Sequence, residues 1–277
     1  MLLPNFIFAG APKSASSTLF EYIKQHPDIY MCPIKEPFFF DFNYEKGIDW
    51  YQSLFSNYQG EKIIGEATVW YMRWKSVPQR IYQTIPNSKF LFVLRNPIER
   101  AFSNYQMDLF GGKYTLDQTF GYVIRNEFKD SSIDRTIVSS GFYYEQLKRF
   151  EEYFDPSNFL IILYEDLKND LRAVEKKIYE FLDVDSNFQA INPDNRMIGR
   201  CLKNEKLLIK LSQLPGFNKI WQKHRQFRKL FIYENSTINK QKIATMSKED
   251  REYLNFVYAK HNDLLSKYIN QDLSHWQ

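Results

Sequence analysis

Cysteine is almost missing from this 277-residue chain. Cys32 and Cys201 stand alone and far apart, which excludes a disulfide framework and any C-x-x-C metal or redox motif. A reducing, cytoplasmic setting is the expectation. Long apolar runs are also missing, and the opening MLLPNFIFAGAPK has no basic leader ahead of an apolar stretch. The chain therefore reads as soluble, unexported and without a membrane span. An excess of charge of one sign is lacking as well: 37 Lys and Arg against 33 Asp and Glu leave a formal +4. That balance suits an anionic ligand but excludes the dense basic coat of a nucleic-acid binder. Of only four histidines, His26 precedes Pro27 near a helix end and His261 lies within a helical segment, so both read as structural or exposed. His224 sits in the basic run Gln222 to Lys229, which reads as a solvated face or as a contact for an anionic ligand.

Aromatic rings are abundant, with 24 Phe and 19 Tyr clustered at Phe38-Phe39-Phe40 and Trp70-Tyr71 rather than in a repeat. Most belong to a core. Short apolar runs at Asn5 to Ala9, Lys62 to Gly65, Lys89 to Leu94 and Asn158 to Tyr164 alternate with longer segments of helical period. This rhythm predicts an α/β fold, a parallel sheet with helices on both faces, over one domain spanning residues 1–277. Helices are expected at Ser16 to His26, Lys75 to Ile85, Pro97 to Phe110, Tyr143 to Phe154, Leu167 to Leu182 and Lys248 to Ile269, giving a mostly helical C-terminal part. Weak periodicity and the turn residues Asn192-Pro193-Asp194-Asn195 mark a loop from Ser186 to Asn204, within a possible lid over 186–235.

The sharpest signal is Pro12-Lys13-Ser14-Ala15-Ser16-Ser17-Thr18, between the first strand and the first helix. A strand turning into a helix presents unpaired N–H groups and the positive end of the helix dipole to a phosphate or sulfate. Lys13 adds a charge, and four hydroxyls add donors. Lys13 precedes the hydroxyl run, and no glycine stands in the register of a nucleotide-hydrolase P-loop, which points away from ATP. A second candidate site follows the strand Lys89 to Leu94, where Arg95 ends the strand, Pro97 starts a helix and Ser103 lies two turns on. Arg95 supplies a planar fork for phosphate oxygens, or else an ion pair with Glu99.

PKSASSTL resembles the 5'-phosphosulfate loop of the sulfotransferases that use 3'-phosphoadenylyl sulfate (PAPS), and RNPIERAFSNY resembles their 3'-phosphate motif. Lys35-Glu36-Pro37-Phe38-Phe39-Phe40, the run from Asn43 to Tyr51, Gly65-Glu66-Ala67-Thr68, Leu163 to Leu167 and Asp272 to Trp276 are similar to the carbohydrate branch. That branch holds heparan sulfate N-deacetylase/N-sulfotransferases and 3-O-sulfotransferases. The resemblance implies the sulfotransferase fold and PAPS as co-substrate, with adenosine 3',5'-bisphosphate (PAP) as product and no metal. Lys13 would then face the bridging oxygen, with Ser14, Ala15, Ser16, Ser17 and Thr18 around the 5'-phosphate and Arg95 and Ser103 on the 3'-phosphate. Gly141 and Tyr143 would border the nucleotide, and Arg196 and Arg200 would return basic side chains to it.

By the same resemblance Glu36 is the base that takes a proton from an acceptor hydroxyl or amine. On its own residues it also reads as a surface carboxylate paired with Lys35. Glu66 is a second carboxylate at the sheet edge, orienting the acceptor, capping a helix or pairing with Lys13. Phe38 and Trp70 are candidate acceptor contacts. Phe38 and Ala67 stand where the 3-O-sulfotransferases have a histidine and a lysine, so the acceptor is a small natural product or a carbohydrate rather than a heparan-type polymer. Ala15 replaces a glycine and is tolerable at negative φ. The competing readings are a nucleotide-dependent phosphotransferase and an inactive nucleotide-binding relative.

Overall fold

The computed structural model describes residues 2–127, 136–191, 199–202, 205–230, 232–235 and 246–276. Five parallel strands, β1 (Phe6–Gly10), β2 (Ile29–Met31), β3 (Ile63–Ala67), β4 (Lys89–Leu94) and β5 (Phe159–Leu163), form a sheet in the order β2-β3-β1-β4-β5. The expected parallel sheet is present, with β1 and β4 fully buried at its centre apart from the first residue of β4. The sequence pattern did not predict β2, whose three residues are too few to display a period.

The sheet is covered on both faces because its side chains alternate. Ile7, Ala9, Phe90, Phe92 and Leu94 point into one core, filled by Tyr51 from α2 (Gly47–Ser53), Ile81 from α3 (Val77–Thr84) and Phe150 from α6 (Tyr143–Glu151). Phe6, Phe8, Leu91 and Val93 point into the other, against Leu19 and Ile23 of α1 (Ser16–Ile23) and Ile178 and Leu182 of α8 (Leu171–Leu182). A third cluster joins α4 (Pro97–Gly111), α5 (Phe120–Glu127) and α12 (Lys248–Ile269) through Ala101, Ile124 and Tyr258.

Two boundaries differ from the sequence pattern. The helix expected from Leu167 to Leu182 is two helices, α7 (Tyr164–Asn169) and α8, because Asp170 leaves helical geometry and its carboxylate accepts the Ala173 N–H at 2.9 Å. Within the expected lid, residues 205–230 are helical as α9 (Glu205–Ser212), α10 (Phe217–Lys223) and α11 (Arg225–Lys229), while β6 (Gly199–Leu202) and β7 (Ile232–Asn235) pair antiparallel. Leu208 and Trp221 are fully buried in the third core, and the Trp221 indole donates to the Leu109 carbonyl at 3.3 Å. That part of the segment is packed structure rather than a loop. Among the described residues no helix is long and apolar enough to cross a membrane.

Candidate active site

The chain runs from β1 outward to β2 and returns through β3, then continues to β4 on the other side of β1. A crevice therefore opens at the carboxyl ends of these strands, where the strand order reverses. The loop after β1 and the loop after β4 line it. Their link is direct: the Arg95 guanidinium donates to the Lys13 carbonyl at 3.0 Å. Glu99, the other partner considered for Arg95, pairs instead with Arg251. Arg95 also lies over the Tyr164 ring, 4.8 Å from its centroid. Asn96 closes the turn by accepting the Ile98 N–H at 2.9 Å as the cap of α4.

In the β1–α1 loop Lys13 is half-buried, and Ser14 is fully buried with no hydrogen-bond partner for its Oγ among the described residues. Ser16, Ser17 and Thr18 form the first turn of α1, whose N–H groups face out of the helix end. Ala15 sits at φ +61°, so the condition of negative φ is not met. The turn demands the left-handed conformation that favours glycine, and alanine adopts it under strain.

Tyr143 and Gly141 stand behind this crevice. Tyr143 is 1% exposed and its hydroxyl donates to the Arg95 carbonyl at 2.9 Å. It supports the loop after β4. A Cβ on Gly141 would lie 2.8 Å from Tyr258 and 2.9 Å from Pro97, so close packing accounts for that glycine. Ser103 is half-buried in the second turn of α4. Arg196 lies outside the described residues. Arg200 lies in β6, opposite Glu234.

Glu36 comes from the loop after β2, with its N–H bonded to the Ala67 carbonyl at 2.8 Å at the end of β3. Its side chain is about a quarter exposed, with Lys35 Nζ at 4.0 Å and the Trp70 side chain as hydrogen-bond partner. Burial raises its pKa above the ordinary glutamate value, while Lys35, Trp70 and the charge of Lys13 oppose the rise. Both readings of Glu36 thus meet in one place: it has the lysine neighbour, and it is desolvated. Phe38 packs edge-on to the exposed Phe42, with ring centroids 5.7 Å apart. The Arg73 guanidinium covers Trp70 at 4.3 Å.

Glu66 requires a correction. It is wholly buried, so no acceptor reaches it. The Tyr51 hydroxyl donates to its Oε1 at 3.1 Å and Thr68 Oγ1 to its Oε2 at 2.8 Å. Burial still pushes its pKa up to about 7. Tyr51, Tyr71 and Tyr164 were not singled out from sequence. For Thr68 the spacing of two from Glu66, which puts both on one face of an extended segment, was an available signal.

Against this geometry stands a family match: the sulfotransferase domain covers residues 3–261. The chain belongs to the sulfotransferase family. This sulfotransferase is 34% identical over 134 residues to the membrane-associated sulfotransferase kil1 of Dictyostelium discoideum, a match covering 46% of this chain and 28% of that one. It is 30% identical over 185 residues to human heparan sulfate glucosamine 3-O-sulfotransferase 6, covering 65% and 52%. The chain thus spans about half the length, or less, of these curated relatives. A solved sulfotransferase from Alicyclobacillus acidocaldarius aligns over 100% of this chain and 99% of its own, with TM-score 0.74 and 26% identity. A mouse sulfotransferase solved with PAP shares the fold over 98% and 89%, at TM-score 0.53 and 15% identity.

Proposed function

We propose that this sulfotransferase moves a sulfuryl group from PAPS to a hydroxyl or amine of a carbohydrate or small natural product. One observation carries the reading. The Lys13 charge acts on the Glu36 carboxylate while the Lys13 carbonyl is held by Arg95, so a cation, a desolvated base and an arginine fork share one crevice.

The residues fit a donor with phosphates at both ends. The buried, unpartnered Ser14 Oγ and the open first turn of α1 supply donors for the 5'-phosphate, and Arg95 supplies the fork for the 3'-phosphate. Binding at the remote 3'-phosphate fixes the sulfuryl group for in-line attack. The acceptor oxygen or nitrogen forms its bond to sulfur as the bond from sulfur to the 5'-phosphate oxygen breaks. Lys13 meets the charge that collects on the departing oxygen. Glu36 takes the acceptor's proton. Because burial raises the Glu36 pKa, its base form fills at higher pH than that of an exposed glutamate. The relatives' names support a glycan acceptor, while the part-exposed Phe38 offers an apolar ring where a sulfated polymer needs polar contacts; Ala67 is wholly buried and faces no acceptor.

Titration with PAP should show tight binding, and ATP with magnesium should bind weakly; the opposite order would overturn the proposal. Incubation with PAPS and a panel of alcohols, amines and glycans, read by mass, should reveal an acceptor carrying one added SO3 group.

A further inference from the structure

The basic run from Gln222 to Lys229 takes no part in the proposed reaction. We infer that the outward side of α9, α10 and α11 docks on an anionic membrane surface, with lysines against the lipid phosphates and leucines in the outer hydrocarbon. This inference stands apart from the assignment of the donor and of the base.

Charge is the first observation. From Leu207 to Leu230 the chain carries six Lys and Arg and no Asp or Glu. Those six exceed the formal +4 of the whole chain, which leaves the remainder at −2. One of them, Arg228, is buried and donates to the Trp221 and Gln222 carbonyls, so it ties α11 to α10. The other five, Lys210, Lys219, Lys223, Arg225 and Lys229, are exposed. Among the described residues none of the five stands in an ion pair, whereas Lys24, Lys62, Lys148 and Lys267 elsewhere each pair with a carboxylate. An unneutralised cluster of this kind draws an anionic partner.

The second observation is apolar. Leu207, Leu214, Ile220 and Leu230 are 44% to 66% exposed, and they are four of the six exposed Leu and Ile among the described residues. Single exposed leucines are ordinary, but this concentration over one short stretch is not. The packing of the helices accounts for it. α10 buries Phe217 and Trp221, four apart on one face, and so turns Lys219, Ile220 and Lys223 outward. α9 likewise buries Leu208 and Ser212 and leaves Leu207 and Lys210 outside. Because α10 packs against both of its neighbours, these outward sides adjoin.

The combination selects the partner. A sulfated glycan or a nucleic acid satisfies the cations but gives the leucines nothing to bury against. A bilayer with acidic headgroups meets both, since lysine stems lie along apolar surface with their charges at the phosphates. The helices have eight, seven and five residues, too short to span and suited to lying on the surface. The patch also lies away from the crevice. Trp221 is fixed to the Leu109 carbonyl near the far end of α4, roughly 20 Å along that helix from Arg95 at about 1.5 Å per residue.

The test is flotation of the full chain with vesicles of phosphatidylcholine alone and with one-third phosphatidylserine. Wild type should bind only the anionic vesicles and leave them at high salt. Lys219→Glu combined with Lys223→Glu should weaken binding by about tenfold or more. Leu214→Ser combined with Leu230→Ser, which keeps the charge, should weaken it by about threefold or more. Both variants should keep the circular dichroism and the PAP affinity of wild type. Equal partition to the two kinds of vesicle, or none to either, overturns the inference. So does full binding by the leucine variant, or tighter retention on heparin than on anionic vesicles, because either outcome makes the patch a site for a polyanion. If the lysine variant does not fold, the vesicle comparison and the leucine variant decide alone.

Discussion

The two sides of the crevice are built in opposite ways. On the Lys13 side the polar groups are left open: Ser14 Oγ is buried without a partner and the first turn of α1 has N–H groups to give. On the Glu36 side the buried carboxylate is already satisfied within the protein, through the bonds of Tyr51 and Thr68 to Glu66, and the Phe40 N–H is held by Tyr71. The first side offers donors to the proposed anion. The second is a finished scaffold that presents one carboxylate. On the proposed roles, the difference assigns binding affinity and catalytic geometry to separate structures, so substitutions should separate them as well.

The largest effect is expected on the finished side. Glu36→Gln should lower the transfer rate about 10²- to 10⁴-fold, the range for loss of a general base, with PAP affinity nearly unchanged by calorimetry. Full activity would remove Glu36 as base. On the open side Lys13→Ala should cost about 10²- to 10³-fold in rate, as for loss of a group stabilising charge on a departing oxygen. A loss confined to KM would assign Lys13 to ground-state binding alone.

Stability against pH sharpens the contrast. The Glu66 pKa is about 7 in the folded protein against an ordinary value of 4.5. Between these values the native state holds a proton that the unfolded chain has released. Stability is therefore greatest at or below pH 4.5 and is lost as pH rises toward 7, by about 3 kcal/mol. Urea unfolding at pH 5 and pH 7.5 should show this fall in wild type, and Glu66→Gln should remove it; an equal slope in both would place the unfavourable ionisation elsewhere. Ser14→Ala should split stability from binding. Removing a buried hydroxyl that has no partner should leave the melting temperature unchanged or raise it, with a gain of up to about 1–3 kcal/mol, while weakening PAP binding. Loss of stability would mean the hydroxyl serves the fold. The smallest change is Ala15→Gly, which relieves left-handed strain at a cost in unfolded-state entropy, for a net gain of about 0.5–1 kcal/mol. A lower melting temperature would contradict the strain at φ +61°.

This contrast also explains what the sequence revealed. The Lys13 side was legible because its parts are contiguous: an apolar strand, a lysine, four hydroxyls and a helix follow one another between Phe6 and Ile23. Arg95 was legible for the same reason, at the end of an unbroken apolar run. The Glu66 scaffold was hidden because Tyr51 comes from a different element, and nothing in a run of Phe and Tyr says which ring reaches a carboxylate. Its neighbours made Glu66 look like a residue open to the acceptor. The helices from 205 to 230 were hidden because Pro215 and Gly216 interrupt a period that burial of Leu208 and Trp221 completes.

The hydrogen bond from Arg95 to the Lys13 carbonyl has a further consequence. The group proposed for the donor's 3'-phosphate also grips the backbone of the lysine proposed for the reacting bond. A nucleotide without a 3'-phosphate leaves Arg95 free to stay on that carbonyl, whereas a complete donor competes for the same guanidinium. On the proposed roles the complete donor gains an anion contact that a nucleotide without a 3'-phosphate lacks, at the expense of one bond to the Lys13 backbone, so the two would differ in affinity as well as in turnover.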